Sequence, residues 1–407
     1  MTAETGASTS TSTPAVVGAA GLRAVTHAVP SVDDLLDALG PDGFVWAEAG
    51  AGIATSGVAA TVPADAVAAT LRAIDADDEV GLPGTGPIAV GALPFDPAAV
   101  ATLAVPARIV GRTTDGRGWI THIGPPLEPV PNPPPRPTRF TVRAVQQRVW
   151  WDEAVTAALA DIAAGSFAKV VLAREVTVDA DAPFDLRFVL RRLRSQQPGC
   201  ILYADGGFVG ATPELLIRRT GREIESRPMA GTAPGSVAAE VAVRLAASGK
   251  DAREHRFVVD AVHDALAPVA ARIDVPDTPV VEHFGSLAHL VTPIRGRLRD
   301  DAQGLDALDL ARLLHPSPAV GGTPTDAGIA AIARLEPFDR GPYAGPVGWV
   351  DARGDGAFAV ALRGAEIDGR HAILRAGAGI VAGSDPEAEW AETVAKFEPM
   401  LRALVVP

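Results

Sequence analysis

The stretch GPVGWVDARGDGAFAVALRGAEIDGRHAILRAGAGIVAG, residues 345–383, decides how the chain folds. Apolar runs such as AFAVAL and HAILRA are cut by Gly-rich turns too closely spaced for crossover helices, so successive strands must return beside one another as antiparallel hairpins. Upstream, CILYAD and GFVGATPELLIRRTGREIESRP read as further strands with tight turns. WWDEAVTAALADIAAG and PFDLRFVLRRLRSQQPG instead carry helical patterns that stop at Gly165 and at Pro198-Gly199. Regular strand-helix alternation is missing, which predicts an α+β fold and argues against a doubly wound one.

Working outward, Ser31 to Ile123 mixes helical pieces (SVDDLLDAL, PADAVAATLRAI) with strands such as PARIVGRTT. The run GPPLEPVPNPPPRP, residues 124–137, excludes helix and central strand and reads as an extended surface connector. A boundary between two domains and a long crossing inside one domain would look alike here. The chain therefore divides into a Thr/Ser/Ala-rich tail (1–20) expected to be disordered, an N-terminal part (21–137), and a signal-dense region (138–407).

Charge and composition narrow the function. Across 407 residues, 36 Lys and Arg stand against 49 Asp and Glu, a net charge of −13. No basic run with interleaved aromatics appears, which argues against nucleic acid, and an anionic ligand would need cations gathered locally. Every apolar run is broken before membrane length, and MTAETGASTSTST lacks a basic n-region, so a cytoplasmic location is expected. Cys200 is the sole cysteine and the eight histidines show no zinc spacing, which leaves a hard cation held by carboxylates as the metal option.

Three segments carry chemistry. In SFAKVVLAREV, residues 166–176, alternation sets Lys169 on a face with Phe167, Val171 and Ala173. It reads either as an edge-strand lysine snorkelling to water or as a desolvated base. In GKDAREHRFVVDAVHDALAPV, Glu254 shares a helical face with Val258, Val262, Ala265 and Val269, so it is either a marginal surface acid or a buried carboxylate that needs a cation. In GSDPEAEWAETVAKFEPML, Asp385 is the expected N-cap with Pro386 at the first helical position, and a Ser384/Glu387 capping box is the alternative. Glu389, Glu392 and Lys396 then share a face, as a solvated ladder or, beside Glu254, as a magnesium site. Gly377 and Gly379 in RAGAGIVAGSD do not continue into a dinucleotide fingerprint; they could let backbone amides approach a small anion.

The segments FAKVVLAREV, GATPELLIRR, PMAGTAPG, KDAREH, LAHLVTPIRG, LLHPSPAVGGTP, LEPFDRGPYAGPVGW and AGAGIVAGSDPEAEWAET occur in the order found in the chorismate-utilising enzymes. The resemblance runs from Phe140 to Leu404, and among the family's branches the chain is most similar to isochorismate synthases. It implies large, mainly antiparallel sheets stacked as a sandwich with helices outside. It also implies a small-molecule substrate, chorismate, and Mg2+ as cofactor. Lys169 matches the family's base that activates water to attack ring carbon 2, and Glu214 the acid that protonates the hydroxyl leaving carbon 4. Glu254 and Glu392 match metal ligands, with Glu389 joining through water. Lys396, Arg363 and the backbone at Gly231, Thr232, Gly377 and Gly379 match groups that receive carboxylates, and His289 and Tyr343 match pocket side chains. On its own residues, Arg363 in AFAVALRGAEI would simply end a strand at the surface.

The resemblance also separates relatives. Lys169 favours water over ammonia, so no glutaminase subunit is expected, and Ala230 stands where aminodeoxychorismate synthases carry a nucleophilic lysine. Salicylate synthase, which goes on to release pyruvate, is the nearest rival. HPSPAVGGTP with the small Ala319 favours the isochorismate product, destined for quinone or siderophore synthesis. A chorismate-binding protein without turnover is the alternative of another class, and a monomer is expected. Gly249, where an acid is frequent, and GTAPG, which lacks a common arginine, depart from the pattern.

Overall fold

The structure is a computed structural model that describes residues 19, 21–125, 127, 133–234, 249–285 and 287–405. Apart from Ala19, the predicted tail lies outside the described residues, as does much of the 124–137 run. Two long ladders make the body. The first runs from Asp75–Asp78 through Arg23–Val29, Gly118–Ile123, Thr102–Arg112, Ala51–Pro63 and Phe44–Glu48. It continues through Ile201–Asp205, Phe208–Thr212, Gly364–Asp368 and His371–Val381 to Lys169–Ala180. The second orders Ile88–Ala92, Pro346–Asp351, Gly356–Val360, Leu215–Thr220, Glu223–Ser226, Ile294–Leu298 and Ala270–Asp274. Among the described pairings, only Arg23–Val29 with Asp75–Asp78 is parallel.

The period-two pattern of the strands builds the layers. Ile201 and Tyr203 join the core between the ladders with Leu215, Ile217, Phe358 and Val360. Their neighbours Leu202 and Ala204 face outward onto Leu190 and Leu193 of the Leu186–Gln196 helix and Phe397, Met400 and Leu404 of the Pro386–Val405 helix. This is the expected α+β sandwich with helices outside. Strands on both sides of residues 124–137 pair directly, with Leu202 opposite Ala47 and Val347 opposite Ala92.

Where helical segments were expected, Leu186–Gln196 is capped by Asp185, and Gly165 follows the Arg148–Ala163 helix at φ +78°. SVDDLLDAL differs: only Leu35–Ala38 winds, as a 3-10 turn, because Asp34 caps it directly and Leu39 leaves at once in extended conformation. Asp385 caps the last helix, accepting from Ala388 N at 3.0 Å, while Ser384 Oγ accepts from Val381 N at 3.2 Å. Among the described residues, no helix is long and apolar enough to cross a membrane.

Candidate active site

The site forms where these elements converge. In the Lys169–Ala180 and His371–Val381 pair, Val171 lies opposite Gly379 and Ala173 opposite Gly377. A smaller antiparallel sheet, Met229–Pro234, Leu287–Val291 and Val280–Phe284, bulges between Ala230 and Thr232, where Gly231 adopts φ +74°. The Gly249–Leu266 helix packs on it and against the His371–Val381 strand. Between them opens a cleft of about 740 Å³, its mouth included.

Glu214, Gly231, Glu254, His289, Ala319, Tyr343, Arg363, Gly377, Gly379, Glu392 and Lys396 line that cleft together. Lys169 lies just beneath it, fully buried, with Nζ 2.9 Å from Glu254 Oε1. Burial on this scale removes the edge-strand alternative, since the ammonium reaches a carboxylate and not water. Glu389 is 1 % exposed and is not among the cleft-lining residues. Thr232 pairs with His289 across the small sheet, and its backbone is what the structure places near the cleft.

The last helix presents its ion pair inward: Lys396 Nζ is 2.7 Å from Glu392 Oε1 and donates to Gly377 O at 2.9 Å. Burial works against the charge on Lys396, but Glu392 and then Glu254 outweigh it and hold its pKa above the ordinary value. A solvated ladder is thus not what forms. Gly379 has a steric reason of its own, because a Cβ there would sit 2.1 Å from Glu254 Oε1 and 3.2 Å from Lys169 Cε. Here the glycine makes room for the carboxylate. A Cβ at Gly377 would meet Leu172 O at 3.0 Å and the Tyr343 hydroxyl at 3.4 Å.

Glu214 follows Pro213 at the end of the Phe208–Thr212 strand and is 3 % exposed. Desolvation pushes its pKa from 4.5 to about 8, against the pull of Lys169, Lys396 and Arg363. At neutral pH it is therefore a protonated acid facing three cations. Arg363 does not end a strand at the surface: it is 7 % exposed, at φ +52°, between the Gly356–Val360 and Gly364–Asp368 strands. Its Nη2 donates to His289 Nε2. A guanidinium only donates, so Nε2 is the acceptor and Nδ1 carries the proton. Burial, helped by Arg363 and Lys396, holds His289 well below its ordinary pKa and hence neutral. The cleft thus offers an acid, a lysine-carboxylate pair, a second carboxylate and a fixed guanidinium, a set suited to moving protons on a bound polyanion.

Sequence reasoning did not single out Arg340 and Arg375, which also line the cleft. Arg375 is held by Glu175 at 2.9 Å and by Glu366. Arg340 pairs with Glu336 at 2.5 Å, and the i,i+4 spacing of the two in LEPFDRGPYAGPVGW was the available signal.

Comparisons with known proteins identify the family. The family described as chorismate binding enzyme matches residues 126–405. Isochorismate synthase DhbC of Bacillus subtilis is 38% identical over 344 residues, 79% of this chain and 81% of that one. Isochorismate synthase EntC of Escherichia coli is 36% identical over 327 residues, 77% and 80% of the two chains. Among solved structures, the menaquinone-specific isochorismate synthase MenF of Escherichia coli superposes with a TM-score of 0.82 at 26% identity, covering 95% of each chain. Anthranilate synthase component I of Streptococcus pneumoniae, at TM-score 0.67 and 21% identity over 93% and 92% of the chains, shares the fold. The chain belongs to the chorismate-binding enzyme family.

Proposed function

We propose that this enzyme is an isochorismate synthase, exchanging the carbon 4 hydroxyl of chorismate for a hydroxyl from water at carbon 2. One observation carries the reading: Glu214, buried and protonated to about pH 8, shares a single cleft with Glu254 and Arg363, and Lys169 lies just beneath it, paired with Glu254. Glu214 gives its proton to the departing hydroxyl, and Lys169 is the base that takes one from the attacking water. The ring double bonds shift between the two carbons, so water in balances water out. The ion pair with Glu254 holds Lys169 Nζ beneath the cleft. Arg363, oriented by neutral His289, receives a substrate carboxylate, with Lys396 adding positive potential.

Magnesium belongs to this proposal. Glu254 and Glu392 both line the cleft, each with one oxygen on a lysine, and among the described residues no three His, Cys, Asp or Glu side chains group to hold an ion. Two carboxylates suit Mg2+, a cation that prefers oxygen ligands and keeps several of its waters. The residues that would hold it are Glu254 and Glu392, with Glu389 through water; the ion would neutralise and orient the ring carboxylate.

The test is purified protein with chorismate, with and without magnesium, followed by chromatography and mass identification of products. Isochorismate formed only with magnesium is expected. Salicylate and pyruvate as main products would reassign the chain, and intact chorismate binding without product would make it a binder. Relatives that make isochorismate for menaquinone and for 2,3-dihydroxybenzoate both occur, so the product is assigned to quinone or siderophore synthesis at that level only.

A further inference from the structure

The Lys169–Ala180 strand has an incomplete outer edge. Gly322–Thr323 pairs with Val170 and Lys169, and Phe140–Ala144 pairs with Val176 to Ala180, but among the described residues no strand covers the stretch between. Unpaired, buried N–H and C=O groups there would be costly. Loop backbone closes the two ends of the stretch, Gly321 O accepting from Val171 N at 2.8 Å and Val145 N donating to Glu175 O at 3.1 Å, and side chains fill the middle. Arg340 Nη2 donates to Val171 O at 2.8 Å, and Glu336 Oε1 accepts from Ala173 N at 2.7 Å. Gln146 Oε1 accepts from Glu175 N at 2.6 Å.

The same guanidinium reaches further. Arg340 Nη1 donates to Val320 O at 2.8 Å, beside Ala319, and the ring of Phe95 lies 4.3 Å beneath it. Its Nε donates to Glu336 Oε2 at 2.8 Å, which fixes both side chains as one planar unit. Arg340 is 3 % and Glu336 7 % exposed, so the pair is held against a low-dielectric interior.

We propose that Glu336 and Arg340 act as a surrogate strand, positioning residues that hold the segment next to Lys169 and the Ala319 loop in register around the cleft. This rests on the isochorismate synthase reading for its kinetic consequence, though not for its structural one. A donor and an acceptor on one rigid pair copy what the N–H and C=O of an adjacent peptide would supply. Unlike a strand, the pair also ties in the Val320 loop and Phe95. A small displacement of Lys169 against the substrate would tax turnover more than binding.

The test compares wild type with Arg340→Lys, Glu336→Gln and Glu336→Ala in the full chain. Arg340→Lys keeps a charge but loses the fork. Its kcat on chorismate should fall by about 30-fold or more, with KM within about threefold, after correction for the folded fraction. In Glu336→Ala, hydrogen exchange at the Ala173 amide should rise about tenfold while strands of the second ladder keep their protection. Glu336→Gln, which retains an acceptor, should restore much of that protection. Variants that lose thermal stability yet keep wild-type kcat per folded molecule would reduce the pair to a structural ion pair and overturn the positioning role. Wild-type exchange at Ala173 in Glu336→Ala would overturn the surrogate strand itself. If wild type does not turn over chorismate, the functional reading fails while the exchange experiment still decides the structural claim.

Discussion

Replacing Glu214 by glutamine removes one ionisation and keeps the shape of the side chain, including an acceptor for the Met229 N–H that reaches it. Folded Glu214 keeps its proton to about pH 8, whereas the unfolded chain releases it near 4.5. Folding therefore takes up a proton in that window, and the contribution of Glu214 to stability, complete below pH 4.5, is lost as pH rises through about 8. At about 1.4 kcal/mol per pH unit, the loss approaches ~5 kcal/mol. Glutamine has no such loss. Glu214→Gln should thus match wild type near pH 4.5, exceed its stability by an increment that grows toward pH 8, and then level off. Turnover should be abolished throughout, because the leaving hydroxyl has no proton donor. The assay is urea unfolding of both proteins from pH 5 to 9, comparing midpoints at unchanged slope, alongside chorismate turnover. A stability difference that does not change with pH, or a wild type more stable than the variant at pH 8, would refute the assignment of Glu214 as a desolvated acid. Wild-type kcat/KM should also fall about tenfold per pH unit above pH 8, the alkaline limb set by that same group.

Lys169→Gln should lower kcat by about 10²-fold or more while chorismate binding, read by calorimetry, stays within a few-fold; near-normal turnover would remove its role as base. In Gly379→Ala the new methyl must displace Glu254 from its position 2.1 Å away, so the magnesium concentration for half activity should rise. An unchanged magnesium titration would show that Glu254 moves freely or is no ligand. Arg363→Lys retains charge but loses the fork fixed by His289, and KM should rise by about 10-fold or more with a smaller effect on kcat. A kcat effect without a KM effect would argue that Arg363 acts in the chemistry and not in binding.

Much of this architecture is legible in local chemistry. The Gly-cut runs of residues 345–383 specify antiparallel hairpins because strands so closely spaced have no other connection. Asp385 and Pro386 mark the start of the last helix because a side-chain acceptor and a residue without N–H are what a helix start requires. Glu392 and Lys396 share a face by helical geometry alone. SVDDLLDAL shows the limit: helical periodicity in nine residues does not outlast the extended exit of the chain at Leu39.

What the sequence by itself determined is the α+β class, the start of the last helix, and, through ordered motifs, the family and its candidate site residues. Environment lay beyond it, because burial and pairing join residues far apart in the chain. Lys169 reads as snorkelling or buried until Glu254 stands 2.9 Å away, and Arg363 reads as a surface strand end until His289 meets it. Gly379 reads as an anion-binding amide until the carboxylate of Glu254 fills the space its missing Cβ leaves. The pairing of Ala47 with Leu202 and of Ala92 with Val347 joins the chain before and after the proline run in the two ladders. Only the tertiary structure decides these, because desolvation and Coulomb interaction depend on distance through space, which spacing along the chain does not encode.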